Sequence, residues 1–206
     1  HALGASRVAI GIEANKPRAL AAMGTAAAPH AAVEVASVPA RYPMGSERHL
    51  TFVMTGRETP ARKLTADVGV VVHNVSTARA VHQAVRFGRP LIARVVTVSG
   101  AALREPKNVE APIGARVSAL IAFCGGFAQP PARLVQGGPM MGTPLPGLDV
   151  PIVKGTSGIL ALTAQEINDG PAGPCLSCGA CGSICACVLV PAKLAAHILN
   201  DDLDGA

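Results

Sequence analysis

The chain has 206 residues, half of them apolar and only 2% aromatic, with six cysteines and a formal net charge of +5. That length allows one large domain or two small ones with a sizeable core, and no apolar run approaches the ~18 residues that a membrane span requires. The basic residues are scattered and lack the interleaved aromatics that stack bases, which argues against nucleic acid; a mildly basic face suits acidic lipids or an acidic redox partner.

Residues 7–12, "RVAIGI", predict a short buried strand, and "EANKP" a loop after it. Pro17 suits the first turn of a helix running through "RALAAMGTAAA", and residues 33–39 alternate as a second strand. This β-loop-α-β order builds parallel sheets, whose strand-end loops carry ligands. A helical centre is expected within residues 41–60. "DVGVVV" predicts a strand, His73-Asn74 a loop, and residues 76–87 a helix stopped by Gly88.

From Arg89 the pattern changes to strand (94–99), turn, strand near Val109, short helix (117–123), and a strand and turn in "ARLVQGGPMMG". That order predicts a small β-grasp-like domain. "DVPIVKGTSGILAL" predicts two strands joined at Gly155, "TAQEINDG" a short capped helix, and "AKLAAHIL" a helix after Pro191. Cys124, on an apolar helix, is expected to be a buried thiol.

Cys175, Cys178, Cys181 and Cys185 follow the spacing C-x2-C-x2-C-x3-C. Disulfides at this density belong to small secreted scaffolds, which a largely cysteine-free chain without a signal peptide is not. Structural zinc usually takes two ligand pairs a dozen or more residues apart. A [4Fe–4S] cube instead accepts thiolates in quick succession from a winding loop, and this spacing is the ferredoxin one. In two-cluster ferredoxins the fourth cysteine serves the other cluster, so Cys185 is open to either role. Ala186 stands where a proline is expected, and Cys187 is read as structural or incidental, with substitution for a ligand left open.

"GIEANKP", "YPMGSERHLTFVMTGRETP", "DVGVVVHNVSTARAV", "RVVTVSG", "GGPMMG", "DVPIVKGTSGILAL" and the cysteine loop, in that order, resemble the C subunit of the Rnf ion-translocating electron-transport complex. That family is in turn similar to the flavin- and NADH-binding subunit of respiratory complex I. The resemblance implies an α/β fold with a partial Rossmann-like FMN/NADH domain (1–88) and a β-grasp-like domain (89–150). Connecting strands (151–170) and a ferredoxin-like cluster segment (171–206) would follow. It also implies a peripheral protein on the cytoplasmic face of the bacterial inner membrane, bound to the other subunits of the complex. Such a protein passes electrons between NAD(H) or ferredoxin, FMN and two [4Fe–4S] clusters, coupled to sodium or proton movement. The family's upstream glycine-rich stretch and second cluster motif are not in this sequence. With His1 at its start, the chain is expected to be an internal fragment.

By the same resemblance, Tyr42, Gly45 and Glu47 match the complex I segment at the flavin and nicotinamide, where Ser46 replaces the first of two acids. Asn74 and Thr77 match a segment whose asparagine lies at the flavin, and Glu13, Asn15 and Lys16 occupy a strand-end loop. Plainer roles stay open: Asn74 as a helix cap, Glu47 as a solvated helix charge, Lys16 as a loop lysine. His49, His73 and His82 lack metal-like spacing and are read as structural. The competing functional reading is a non-catalytic β-grasp docking module with a zinc- or cluster-stabilised tail.

Overall fold

The computed structural model describes residues 4–171 and 173–202. In chain order its elements are β1 (Val8–Glu13), α1 (Pro17–Ala27), β2 (Val33–Val38), α2 (Glu47–Thr55), a 3-10 turn (Thr65–Val68) and α3 (Val75–Phe87). Then come β3 (Ala93–Ser99), β4 (Lys107–Pro112), α4 (Val117–Phe123), β5 (Arg133–Gln136), β6 (Thr143–Pro144) and β7 (Gly158–Leu162). A second 3-10 turn (Ala164–Glu166), α5 (Ala180–Ile184) and α6 (Pro191–Leu199) follow among the described residues. It forms two compact units, His1–Val72 with Pro174–Ala206, and His73–Gly173.

The first unit is built on a βαβ crossover. β1 and β2 pair in parallel from Val8–Val33 to Glu13–Val38, and α1 starts at Pro17, whose missing N–H costs nothing in a first turn. Gly11 lets α2 lie close on β1: a Cβ there would stand 2.9 Å from Leu50 Cδ1. Gly56 closes α2 in the left-handed conformation (φ 69°), and its N–H bonds the Phe52 carbonyl. The strand expected in "DVGVVV" does not form. Thr65–Val68 make a 3-10 turn, and Gly69, at φ 76°, ends it. Extended backbone needs a neighbouring ladder, and among the described residues the β1–β2 sheet has two strands.

The second unit holds a mixed five-stranded sheet in the order β4-β3-β7-β5-β6. β3 runs antiparallel to β4 and parallel to β7, and β5 runs antiparallel to β7 and β6. Period-two alternation along β3 sends Val96 and Val98 inward, fully buried. They meet Val117, Leu120 and Ile121 of α4 together with Ile152, Ile159 and Ala161. Full burial of each Val, Leu or Ile side chain is worth about 1.5–3 kcal/mol. Cys124 lies in this core as expected, and burial pushes its thiol above the usual range. Of the two strands expected in "DVPIVKGTSGILAL" one forms, β7; the earlier segment makes only an isolated bridge, Pro151 to Arg116. Pro151 has no N–H to extend a ladder.

Candidate functional site

Two features of the first unit carry chemistry. One is a cleft of about 400 Å³ at the C-terminal ends of β1 and β2, lined by Glu13, Asn15, Tyr42, Met44, Gly45 and Ser46 among others. The loop after β2 is shaped by consecutive turns: Met44 N–H bonds the Arg41 carbonyl at 2.8 Å and Ser46 N–H bonds the Pro43 carbonyl at 2.7 Å. Lys16 pairs with Glu13 and donates to Asn15 Oδ1 at 3.2 Å, which tethers two polar walls of the cleft to one ammonium. A Cβ on Gly45 would meet no atom within 4 Å, so the glycine leaves open space in the wall. Ser46 Oγ and His49 Nδ1 share a hydrogen bond at 2.8 Å. The volume lies within the ~300–1,000 Å³ of small-molecule sites, and a cleft at strand ends with few convergent polar groups fits a flavin.

The structure thus brings Glu13, Asn15 and Gly45 to one cleft, with Lys16 braced against the first two. Glu47 lies one residue beyond it, and its Oε1 accepts the Thr65 hydroxyl at 2.5 Å. Asn74 and Thr77 belong to the second unit. There Asn74 Oδ1 accepts the Ser76 N–H at 2.9 Å and caps α3, while Thr77 is exposed on its first turn.

The second feature is the cysteine segment. Cys175, Cys178 and Cys181 are exposed and Cys185 is half-buried, all as free thiols. Left-handed backbone at Ser177 (φ 53°), Gly179 (φ 75°) and Val188 (φ 57°) winds the chain around them. The Ser177 N–H points at Cys175 Sγ from 3.4 Å. The Leu189 N–H foremost, then those of Cys187 and Val188, pull the Cys185 thiol below its ordinary value, and the Arg41 guanidinium adds to this. Soft thiols that receive backbone N–H groups suit iron–sulfur ligation. The four are not drawn to a common point: among the described residues no three His, Cys, Asp or Glu side chains form a metal-binding group. Two contributors leave no signal in the sequence. The helix α5 carries Cys181, and Arg41 Nη2 donates to the Ser183 carbonyl at 2.8 Å across 142 positions. No helix among the described residues is long and apolar enough to cross a membrane.

Comparison with known proteins gives two family matches: the Nuo51 FMN-binding domain over residues 1–83 and the SLBB domain over residues 95–144. The C subunit of the ion-translocating oxidoreductase complex of Rhodobacter capsulatus is 54% identical over all 206 residues, which make up 40% of that protein. The C subunit of the proton-translocating ferredoxin:NAD(+) oxidoreductase complex of Clostridium ljungdahlii is 47% identical over 93% of the chain and 42% of its own length. The Na(+)-translocating counterpart of Acetobacterium woodii is 38% identical over 95% of the chain and 44% of its own length. The chain therefore spans about two-fifths of the length of these three relatives. Over its whole length, then, the chain is similar to the C subunits of ion-translocating oxidoreductase complexes, and it carries a match to an FMN-binding domain followed by one to an SLBB domain.

Proposed function

We propose that this chain is the flavin-handling and first cluster-binding part of an electron-transfer subunit in a complex that couples NAD(H)/ferredoxin redox to ion translocation. The match of the whole chain to these C subunits carries this reading, and the cleft at the ends of β1 and β2 supports it. When bound, FMN exchanges a hydride with nicotinamide and single electrons with the clusters. Within the chain, Glu13, Asn15, Lys16 and Gly45 hold and orient the flavin, and Glu47 shapes the cleft rim from α2. For Asn74 and Thr77 the resemblance alone supports a flavin role; within its own unit Asn74 caps α3. Cys175, Cys178 and Cys181 hold a [4Fe–4S] cluster, with Cys185 completing it or serving the second one.

In this reading residues 1–88 are the partial Rossmann-like domain, 89–150 the β-grasp-like domain, 151–170 the connection and 171–206 the first half of a two-cluster module. The protein sits peripherally on the cytoplasmic face of the inner membrane, held by other subunits, with ferredoxin or NAD(H) as redox partners. Anaerobic reconstitution of the full-length protein with iron and sulfide tests the cluster. Charge-transfer absorption at about 400 nm should develop, and a Cys178→Ser substitution should remove one cluster's worth of iron. Stoichiometric zinc with no such absorption refutes it.

A further inference from the structure

The cysteine segment contains no charged side chain anywhere in residues 170–192. A cluster held by thiolates is anionic and gains one more negative charge when reduced, so a segment without cations is a poor host for the added electron. The structure supplies a cation from elsewhere in the same unit. Arg41 Nη2 donates to the Ser183 carbonyl at 2.8 Å, and Ser183 stands midway between Cys181 and Cys185. Arg41 is anchored on its own side as well: its N–H bonds the Pro39 carbonyl at 2.9 Å and its carbonyl receives the Met44 N–H at 2.8 Å. The next residue, Tyr42, lines the cleft.

We propose that Arg41 is the positioning residue that fastens the cysteine segment to the wall of the cleft and places a permanent positive charge beside the cluster, favouring its reduced state. The inference deepens the function proposed above and rests on it for the cluster, but the fastening stands on the apoprotein alone. A guanidinium suits the task because it stays charged at any working pH and its fork can hold a carbonyl while keeping other N–H groups directed outward.

The test compares full-length wild type, Arg41→Lys, Arg41→Gln and, as a control, Arg7→Gln, which removes a guanidinium paired with Glu34 on β2. Two readouts are taken: amide hydrogen exchange of residues 180–185 in the apoprotein, and an EPR-monitored redox titration of the reconstituted protein. Arg41→Gln should speed exchange across α5 and lower the reduced-to-oxidised ratio of one cluster at fixed potential by about three- to tenfold. The upper figure corresponds to ~59 mV for one electron. Arg41→Lys should keep most of the potential and lose part of the protection, and Arg7→Gln should change neither. Unchanged exchange in Arg41→Gln overturns the fastening, and an unchanged potential overturns the electrostatic role. A wild-type protein that takes up no cluster refutes the function proposed above and the tuning with it, while exchange still decides the fastening by itself.

Discussion

The Thr65 hydroxyl donates to Glu47 Oε1 at 2.5 Å, tying a fully buried threonine in the 3-10 turn to the exposed first turn of α2. The bond fixes where α2 begins, directly beside Gly45 and Ser46 of the cleft. Thr65→Val and Glu47→Ala should each destabilise the first unit by about 1 kcal/mol. In a double-mutant cycle the losses should not add, because both remove one interaction. Denaturant unfolding followed by hydrogen exchange in α2 reads the result, and additive losses would show that the bond contributes nothing.

Gly100 and Gly88 both have positive φ, at 115° and 62°, but for different reasons. A Cβ on Gly100 would lie 2.1 Å from the Ala161 carbonyl oxygen, whereas one on Gly88 would meet nothing within 4 Å. Gly88→Ala should therefore cost only backbone strain, about 1 kcal/mol. Gly100→Ala should cost about 3 kcal/mol or more, because it pushes β3 away from β7. Urea midpoints of the two variants should separate in that order.

The Glu166 carboxylate accepts the Thr163 N–H at 2.9 Å, the Thr163 hydroxyl at 3.1 Å and the Ala101 N–H at 3.2 Å. The Thr163 N–H foremost, with Ala101 and the Thr163 hydroxyl, holds its pKa below the ordinary value. A lowered folded pKa gives stability that is complete above the unfolded value of about 4.3 and is lost as pH falls through the folded one. The melting temperature of wild type should exceed that of Glu166→Gln at pH 7, and the gap should narrow in acid below the carboxylate range. A gap independent of pH would contradict the assignment.

Lys16 holds Glu13 and Asn15 at the cleft. Lys16→Met leaves Glu13 unpaired and makes the cleft more negative, which disfavours a ligand that carries a phosphate. Calorimetric titration of FMN into full-length protein should show several-fold weaker binding for this variant, and Glu13→Gln in the same background should recover part of it. Unchanged affinity would remove these three residues from the flavin site.

Much of the architecture is legible in the sequence because it follows from local pattern. Apolar runs around Pro17 signal the βαβ start, and a compact apolar stretch between turn residues signals α4. Strand-end logic also leads to Glu13 and Asn15, which line one cleft. What stays hidden depends on partners distant in sequence. Residues 67–72 are as β-prone as β3 but have no ladder to join, and Pro151 cannot extend one. The five-residue α5, "ACGSI", has no helical period, and its Gly and Ser signal a loop. Arg41 reads as any loop arginine, since its partner Ser183 is 142 positions away.

The place of β7 has a consequence for how the second unit comes into being. β7 is the central strand, yet it is the last strand of its sheet to be made, after β3, β4, β5 and β6. On the ribosome, β3 and β4 can form a hairpin early, but β3 and β5 stay unsealed until residues 158–162 emerge. A piece cut at residue 144, where the SLBB match stops, would lack its keystone and display two bare strand edges, an invitation to aggregation. The smallest autonomous form of this unit should extend through residue 166, so that β7 and the Glu166 clasp on Ala101 are both included.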